Sequence, residues 1–355
     1  MMRTVAKFEI PYSRFLDPEG KAVEALPDFA RDRETLVTLY RWMVLTRTFD
    51  TRAIALQRTG RLGTYASTVG QEAASVGLAH AMRPEDVLLP SFREHGAQLV
   101  RGVTPRELFL YWGGDEHGSD FAGPREDFPV CIPVGTHAPH AAGVALAFKL
   151  RAEKRVAVCA FGDGATSKGD VYEAMNVAGA WVLPAVFVAI NNQWAISVPR
   201  TAQTAAETLA QKAIAAGIEG WQVDGNDVIA VRQTVGQALE KARSGGGPTL
   251  IEALTYRLGD HTTVDDASRY RDDEEVGRHW KEEPIARLRA YLTEAHSWSR
   301  KEEESLIETC AATVETAAGE YLAEPPQPRE AMFDYTYGEP PREIGDQRAA
   351  MLAEE

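Results

Sequence analysis

The 355-residue chain has few cysteines and no long apolar run. Its three cysteines, Cys131, Cys159 and Cys310, lie far apart and include no CxxC pair. This odd number fits neither a disulfide scaffold nor a zinc site and favours a reducing cytoplasm. No apolar run approaches the roughly 20 residues that span a bilayer, and residues 1–20 lack the apolar core of a signal peptide. We therefore expect a cytoplasmic protein that does not enter the membrane.

An excess of positive charge is also missing. Lys and Arg number 38 against 52 Asp and Glu, which gives a formal net charge of −14. Such an acidic chain is a poor candidate for non-specific binding to nucleic acid, although a local basic pocket can still bind a phosphate. Hydrophobic residues at 44% and charged residues at 25% are typical of a soluble globular protein.

Strand and helix patterns alternate through the middle of the chain. Continuous apolar runs typical of buried strands occur over 156–161, 185–190 and 249–256. Helical patterns occur over 170–180, 202–217 and 228–242. Parallel strands joined through helices form right-handed crossovers. The sequence therefore predicts an α/β fold with a doubly wound, mainly parallel sheet flanked by helices.

Weaker patterns flank this core on both sides. Residues 1–33 mix Pro, Asp and Arg with scattered aromatics, which predicts an extended N-terminal arm. An α/β domain is expected over 34–325, beginning with a helix that Asp32 caps. Near the end of this domain, the pattern over 281–322 predicts two amphipathic helices. A proline-rich stretch then opens a C-terminal tail over 326–355.

A glycine-rich segment, Gly162–Gly169, follows the first of the predicted strands. Its first two glycines would let the backbone turn tightly and approach a ligand, and the helix behind them offers N–H groups to a diphosphate. An ordinary tight turn between strand and helix would give the same pattern. A dinucleotide fold is disfavoured because Asp163 puts an anion where a bare diphosphate would sit. The next strand also ends in Asn191-Asn192 rather than in a ribose-binding acid.

An acid in a diphosphate pocket makes chemical sense if a divalent cation lies between the two. Mg²⁺ prefers oxygen ligands, commonly carboxylates and phosphate oxygens. The end of the adjacent strand supplies Asn192, which is 192 − 163 = 29 residues beyond Asp163. Strand ends that are one crossover apart converge. Asp163, Asn192 and a backbone carbonyl just after them can therefore hold Mg²⁺ on a diphosphate.

At these residues the chain resembles a known family. The Gly162–Gly164 segment, followed by the Asn191-Asn192 pair, resembles the motif of thiamine diphosphate enzymes. Over residues 33–325 the chain is similar to the alpha subunits of the first, decarboxylating component of 2-oxo acid dehydrogenase complexes. The segments that carry this resemblance are Gly70–Ala73, Pro90–Gly96, Gly162–Asp170, Asn191–Ser197, Gln222–Asp227 and Tyr256–Thr263.

The resemblance implies that thiamine diphosphate and Mg²⁺ bind at this end of the sheet. The residues implied to bind the cofactor are Phe92, Arg93, Val134, Asp163, Gly164, Ala165, Asn192, Arg257 and His261. The implied metal ligands are the side chains of Asp163 and Asn192 and the carbonyl of Trp194. Val134 matches an apolar residue that props the cofactor in its bent form. His261 is the implied acid or base, because an ordinary histidine pKa suits proton transfer near neutrality.

Three positions depart from the relatives. Phe92 stands where many of them have Tyr, so a hydroxyl contact is missing. Ile190 stands where branched-chain relatives can have Arg, so one phosphate contact is missing. His137 replaces a common Gln, and the sequence gives this change no interpretation. The polar stretch over 259–275, which contains His261, is predicted to be either a functional loop or a floppy one.

The implied reaction is the decarboxylation of a 2-oxo acid, in which the cofactor provides covalent catalysis and an electron sink. The acyl group then passes to the lipoyl group of an acyltransferase component. Segments 62–66 and 210–218 look most like those of pyruvate-using relatives, whereas 262–271 looks closer to branched-chain enzymes. Pyruvate is therefore favoured as the substrate, with branched-chain 2-oxo acids second.

The resemblance also implies a beta subunit, in an assembly of two alpha and two beta chains. Thiamine chemistry requires a carboxylic acid at the aminopyrimidine ring, and the sequence suggests no suitable one here. Glu72 lies near a glycine turn and Glu173 lies on a helix behind the loop. Two alternatives come from other classes, a nicotinamide-dependent dehydrogenase and a non-catalytic subunit with a degenerate site. The missing ribose acid disfavours the first, and intact Asp163, Asn192 and His261 disfavour the second.

Overall fold

The computed structural model describes residues 2–353 of the chain. Six parallel strands in this range form one sheet, in the order β1-β7-β8-β4-β3-β2, and two more form a small antiparallel hairpin, β5-β6. The strands are β1 (Tyr12–Ser13), β2 (Val87–Leu89), β3 (Ala157–Gly162), β4 (Ala185–Asn191), β5 (Trp194–Ala195), β6 (Val198–Pro199), β7 (Glu219–Asp224) and β8 (Thr249–Leu254).

Helices surround the sheet. Those in the described range are α1 (Arg33–Arg58), α2 (Glu72–Ala81), α3 (His95–Arg101), α4 (Pro105–Gly113), α5 (His137–Leu150), α6 (Gly169–Ala180), α7 (Arg200–Gln203), α8 (Lys212–Ala215), α9 (Val228–Arg243), α10 (Asp273–His279), α11 (Pro284–His296), α12 (Arg300–Ala323) and α13 (Arg342–Ala353). Over residues 2–353, none of these helices combines the length and the apolar character needed to cross a membrane.

Both faces of the sheet are covered, as the continuous apolar strands require. Val158 and Val188 point to the face on which α2 and α9 pack. Phe161 and Phe187 point to the opposite face, which α5 and α6 cover. Because side chains alternate along a strand, each strand needs apolar residues at every position to bury both faces. The predicted doubly wound α/β fold is confirmed.

A further helical layer packs outside α2 and α3. Its core contains Tyr40, Phe49 and Phe109, contributed by α1 and α4, and it extends to α11 and α12. The side chain of Asp32 accepts hydrogen bonds from backbone N–H groups in the first turn of α1, which confirms its predicted capping role. The two amphipathic helices predicted over 281–322 are α11 and α12.

The helix predicted over 202–217 is wrong. This stretch breaks into α7, a 3-10 turn over Leu209–Gln211 and α8. The Thr208 hydroxyl accepts a hydrogen bond from the Gln211 N–H at 3.3 Å and so starts a new turn inside the expected helix. The N–H of Ala210 donates instead to the carboxylate of Glu252 on β8, at 3.1 Å. Side-chain capping and a contact with the sheet override the helical pattern.

The N-terminal arm is tied to the sheet rather than extended into solvent. Strand β1 pairs in parallel with β7. The carboxylate of Asp227 accepts hydrogen bonds from the N–H groups of Phe15 and Leu16, both at 2.7 Å. The tail, by contrast, leaves the side chains of Met332 and Tyr335 exposed.

Candidate active site

A cavity of about 220 Å³ opens at the carboxyl ends of β2, β3 and β4. Parallel strands end at the same edge of a sheet, so the loops that follow them converge there. The cavity wall includes most of the sequence-predicted residues, namely Phe92, Arg93, Val134, Asp163, Gly164, Ala165, Asn192, Trp194 and His261. Arg257 does not belong to this wall.

A larger cavity of about 510 Å³ lies beyond Trp194, at the ends of β7 and β8. Its main charged groups already have partners, because Arg14 and Arg287 both lie within 2.8 Å of a carboxylate oxygen of Asp224. Trp194 is the one predicted site residue that lines it. The smaller cavity is therefore the candidate site.

One side of the candidate cavity is rich in oxygen atoms. Asp163, the first residue after β3, is 2% exposed, and burial raises the pKa of its carboxyl group. Its Oδ2 atom accepts a hydrogen bond from the Gln203 amide at 2.6 Å. The Oδ1 atom of Asn192 accepts one from the Trp194 N–H at 3.2 Å, while its amide donates to Gln71 at 3.1 Å. Carboxylate and side-chain amide oxygens thus gather at the ends of two adjacent strands.

The glycine-rich segment folds as a 3-10 turn over Asp163–Ser167, and α6 begins behind it at Gly169. Neither Gly162 nor Gly164 has a positive φ, so the conformation of this turn does not itself depend on glycine. Gly164 is required for another reason. A Cβ atom there would lie 2.8 Å from the Cβ of Ala195, so glycine lets the β5-β6 hairpin approach the turn.

The opposite side of the cavity is basic. The guanidinium group of Arg93 is buried and donates hydrogen bonds to the Nδ1 atom of His261 at 2.8 Å and to its carbonyl at 2.7 Å. The ring of Phe92 meets the His261 ring edge to face, with 6.0 Å between the centroids. Val134 lies on the wall with 46% of its surface exposed. An anion in the cavity would therefore lie between Arg93 and the oxygen-rich side.

The contacts of His261 determine which of its two ring nitrogens carries the proton. Arg93 can only donate, so Nδ1 of His261 accepts and the proton lies on Nε2. Burial, together with the charges of Arg93 and Arg257, lowers the pKa of His261 to about 4. This corrects the expectation of a near-neutral pKa, because the sequence does not show that two guanidinium groups lie close to the imidazole.

Arg257 lies behind the cavity wall. Its guanidinium group donates to the Ile196 carbonyl at 2.8 Å and to the Tyr270 hydroxyl at 2.7 Å, and more weakly to the Trp194 carbonyl at 3.4 Å. Arg257 therefore braces the β5-β6 hairpin, and it acts on the cavity through its charge.

Comparison with known proteins agrees with this geometry. Residues 40–329 match the family model described as dehydrogenase E1 component. The chain belongs to the dehydrogenase E1 component family. The resemblance drawn from its motifs is thereby confirmed.

Two relatives of this E1 component are alpha subunits. The 3-methyl-2-oxobutanoate dehydrogenase subunit alpha of Mycobacterium tuberculosis is 48% identical over 273 residues, which cover 77% of this chain and 74% of the relative. The pyruvate dehydrogenase E1 component subunit alpha of Staphylococcus aureus is 41% identical over 347 residues, which cover 97% of this chain and 93% of the relative. Both relatives identify this E1 component as a 2-oxo acid dehydrogenase alpha subunit.

Sequence reasoning missed two amide side chains of the candidate site. Gln71 stands inside the Gly70–Ala73 motif, so its position was available as a signal. Gln203 lies in the stretch wrongly predicted as a continuous helix, and no signal marked it. The amide groups of Gln71 and Gln203 contact Asn192 and Asp163, respectively.

The structure also shows what surrounds the three residues that differ from the relatives. His137 is buried, and its Nε2 atom lies 2.7 Å from the Ala160 carbonyl, so it ties the first residue of α5 to β3. Ile190 is buried at the end of β4, on the cavity wall. Phe92 offers the His261 ring an aromatic contact in place of a hydroxyl.

The buried histidines predict how stability depends on pH. Burial lowers the pKa of His80 and His261 to about 4 and that of His95 to about 3. Protons therefore bind the unfolded chain more tightly, and stability is lost as pH falls from about 6.5 towards 4. In urea unfolding at several pH values, His261→Gln should show a smaller loss than the parent. His140→Gln, which removes an exposed imidazole, should follow the parent, and equal curves for all three proteins would contradict the expectation.

Proposed function

We propose that this E1 alpha subunit binds the diphosphate and Mg²⁺ of thiamine diphosphate and serves in the oxidative decarboxylation of a 2-oxo acid. The observation that carries the proposal is that buried Asp163 and buried Arg93 line the same cavity. Mg²⁺ takes oxygen ligands from carboxylates and phosphates, whereas an arginine binds the phosphate oxygens directly. The cavity offers both kinds of group.

Two unpartnered atoms support a hydrated cation at the oxygen-rich side. The Nε2 atom of Gln71 and the Oε1 atom of Gln203 are buried and have no hydrogen-bond partner in the described part of the chain. They belong to the side chains that contact Asn192 and Asp163. Mg²⁺ usually keeps several of its waters, which would donate to Oε1 of Gln203, whereas Nε2 of Gln71 is a donor and would be satisfied by a diphosphate oxygen. The donor set therefore fits the metal.

The residues of the chain can be given distinct tasks. Bound thiamine diphosphate would supply the electron sink that decarboxylation requires. Asp163, Asn192 and the Trp194 carbonyl would hold the metal, and the N–H groups of Gly164 and Ala165 would bind the diphosphate.

The remaining predicted residues would act on the other side. Arg93 would bind the diphosphate, and Arg257 would contribute its charge from behind the hairpin. Val134 would give apolar support to the bent cofactor, beside Phe92. The Nε2–H group of neutral His261 would donate a hydrogen bond from this wall, with Arg93 fixing the orientation of the ring.

We favour pyruvate as the substrate. The Staphylococcus aureus pyruvate dehydrogenase subunit aligns with 97% of the chain, and segments 62–66 and 210–218 resemble pyruvate-using enzymes. Branched-chain 2-oxo acids are second, supported by the 48% identity to the mycobacterial subunit and by segment 262–271. The test is kcat/KM for pyruvate against 3-methyl-2-oxobutanoate, measured on the assembled enzyme. A ratio that favours the branched-chain acid would overturn the assignment to pyruvate.

The proposal includes partners and a location. An E1 alpha subunit of this kind would pair with a beta subunit, two of each, and pass its acyl group to a lipoyl-bearing acyltransferase. All three cysteines are free, which supports a reducing cytoplasm.

Ligand binding should protect the polar stretch over 259–275 from proteases. Before α10 the stretch contains no helix or strand beyond a 3-10 turn over Ala267–Arg269, so side-chain and loop hydrogen bonds hold it, among them the His261 N–H donating to the Asp265 carboxylate at 2.9 Å. An anion in the cavity adds a partner for His261 and Arg93, so the stretch should open less often. Trypsin should cut after Arg269, whose side chain is 81% exposed, and thiamine diphosphate with Mg²⁺ should slow this cut. Cleavage after Arg342, on α13, is the internal control. Equal slowing at both sites, or at neither, would contradict the expectation.

A further inference from the structure

A network of buried polar groups lies behind the cavity, centred on Asp50 of α1. Asp50 is 2% exposed, and burial raises the pKa of its carboxyl group. The carboxylate accepts hydrogen bonds from the Thr68 N–H at 2.7 Å, the Ser67 hydroxyl at 2.8 Å and the Tyr65 hydroxyl at 2.9 Å. Three donors from the short segment 65–68 thus converge on a single carboxylate.

The hydrogen bonds of this network run in one direction. The indole N–H of Trp112 can only donate, and it lies 2.9 Å from the Nε2 atom of His95, which must therefore accept. Burial lowers the pKa of His95 to about 3, so the ring is neutral and its proton lies on Nδ1. Nδ1–H donates to the Tyr65 hydroxyl at 3.2 Å, and that hydroxyl donates to Asp50. Tyr65 is fixed from both sides.

The segment that Asp50 holds is hydrogen-bonded to Arg93 of the cavity wall and to the loop that bears His261. The Ser67 carbonyl accepts a hydrogen bond from Arg93 at 2.5 Å. The Tyr65 carbonyl accepts one from the Thr263 N–H at 2.9 Å, and the Tyr65 N–H donates to the Thr263 hydroxyl at 3.1 Å. Thr263 lies two residues beyond His261. Both Arg93 and the loop that bears His261 are therefore attached to this segment.

We propose that Asp50 and Tyr65 are positioning residues that hold Arg93 against His261. Neither lines the cavity, so they would act through Ser67 and Thr263 rather than on a ligand. A buried carboxylate with several donors resists displacement, because each donor would lose its partner. This proposal rests on the proposed function, which gives the cavity its role. The position of Arg93 against His261 is nevertheless tested without any ligand.

The test is Tyr65→Phe in the full chain. The substitution removes the hydroxyl and keeps the ring, which contacts Phe49 and Trp112. If Tyr65 positions Arg93, the guanidinium group moves away from His261. The pKa of the His261 ring, followed by NMR with the resonance assigned through His261→Gln, should then rise by about one unit, because a like charge has been removed from its neighbourhood. Ser67→Ala, a smaller change, should shift it in the same direction.

Tyr40→Phe is the matched control. Tyr40 is a buried residue of α1, the helix that also bears Asp50. Its hydroxyl donates to the Glu303 carboxylate at 2.7 Å. This variant loses an equivalent hydrogen bond far from the cavity, so it should lose stability without moving the pKa of His261. An unchanged His261 pKa in both Tyr65→Phe and Ser67→Ala would overturn the proposal. Binding of thiamine diphosphate to the parent chain is measured separately, so failure of the proposed function would be recognised as a different result.

Discussion

Asp163→Ala should weaken Mg²⁺-dependent binding of thiamine diphosphate by about 30-fold or more while the chain remains folded. Asp163 is the one charged group among the proposed metal ligands, and truncating one partner of a buried charge pair in a complex costs about 2–5 kcal/mol, where about 1.4 kcal/mol corresponds to a factor of ten in affinity. The fold should persist because Asp163 follows a strand in a turn, and because burial already disfavours its charge. The affinity is measured by calorimetric titration of each variant at saturating Mg²⁺, and the fold by thermal unfolding.

Asp170→Ala is the matched control for this prediction. Asp170 lies seven residues further on, at the start of α6, and its half-exposed side chain pairs with Lys168. Exposed pairs contribute little, so this variant should bind like the parent. If Asp163→Ala binds the cofactor as tightly as Asp170→Ala, the metal assignment is wrong.

The chain on its own should show no 2-oxo acid decarboxylation, and activity should appear when a beta subunit is added. The proposal places the diphosphate and metal half of the site on this chain, whereas a carboxylic acid for the aminopyrimidine ring was not expected here. Glu72 is buried but is paired with Arg47, and Glu173 is exposed on α6. A cofactor that is held at one end only would be neither bent nor activated, so the other half should come from the partner.

Glu94 is a carboxylic acid on this chain that must be compared with the acid expected from the partner. It is buried, and of residues 2–353 it is the one glutamate on the cavity wall. Its carboxylate accepts a hydrogen bond from the Ser91 hydroxyl at 2.7 Å, and burial raises its pKa to about 7. Sequence reasoning missed it, although it stands inside the Pro90–Gly96 motif. Glu94 is therefore the residue of this chain to compare with the expected acid of the partner.

The measurement compares the purified chain alone with the chain co-expressed with a candidate beta subunit, each with and without Glu94→Gln. We expect no turnover from the chain alone and restored turnover in the complex. Full turnover by the chain alone, lost in Glu94→Gln, would show that this chain supplies the acid itself.

Exposed apolar residues of the tail, such as Met332 and Tyr337, are a candidate surface for docking the partner.

Much of the sheet could be predicted because it depends on local pattern. Continuous apolar runs mark β3 and β4, and the residue after each strand must lie at its carboxyl end. The convergence of Asp163 and Asn192 follows from these two facts and from the parallel crossover. The oxygen-rich side of the cavity therefore needed no tertiary information beyond the topology.

The other side could not be derived in this way. The low pKa of His261 depends on its burial and on the charges of Arg257 and of Arg93, which is 168 residues away in the chain. The position of Arg257 depends on the β5-β6 hairpin, whose two-residue strands are too short to give a pattern. Gln203 reaches Asp163 because the expected helix breaks at contacts with β8. In each case a distant contact, rather than the local sequence, decides where the side chain lies.

Calorimetric titration of the chain with thiamine diphosphate, with and without Mg²⁺, tests the central proposal most directly. The diphosphate carries negative charge towards buried Asp163, so a cation is needed between them. We expect saturable binding with Mg²⁺ and little binding when the metal is chelated. Binding of equal strength without Mg²⁺, or binding of NAD in place of thiamine diphosphate, would contradict the proposal.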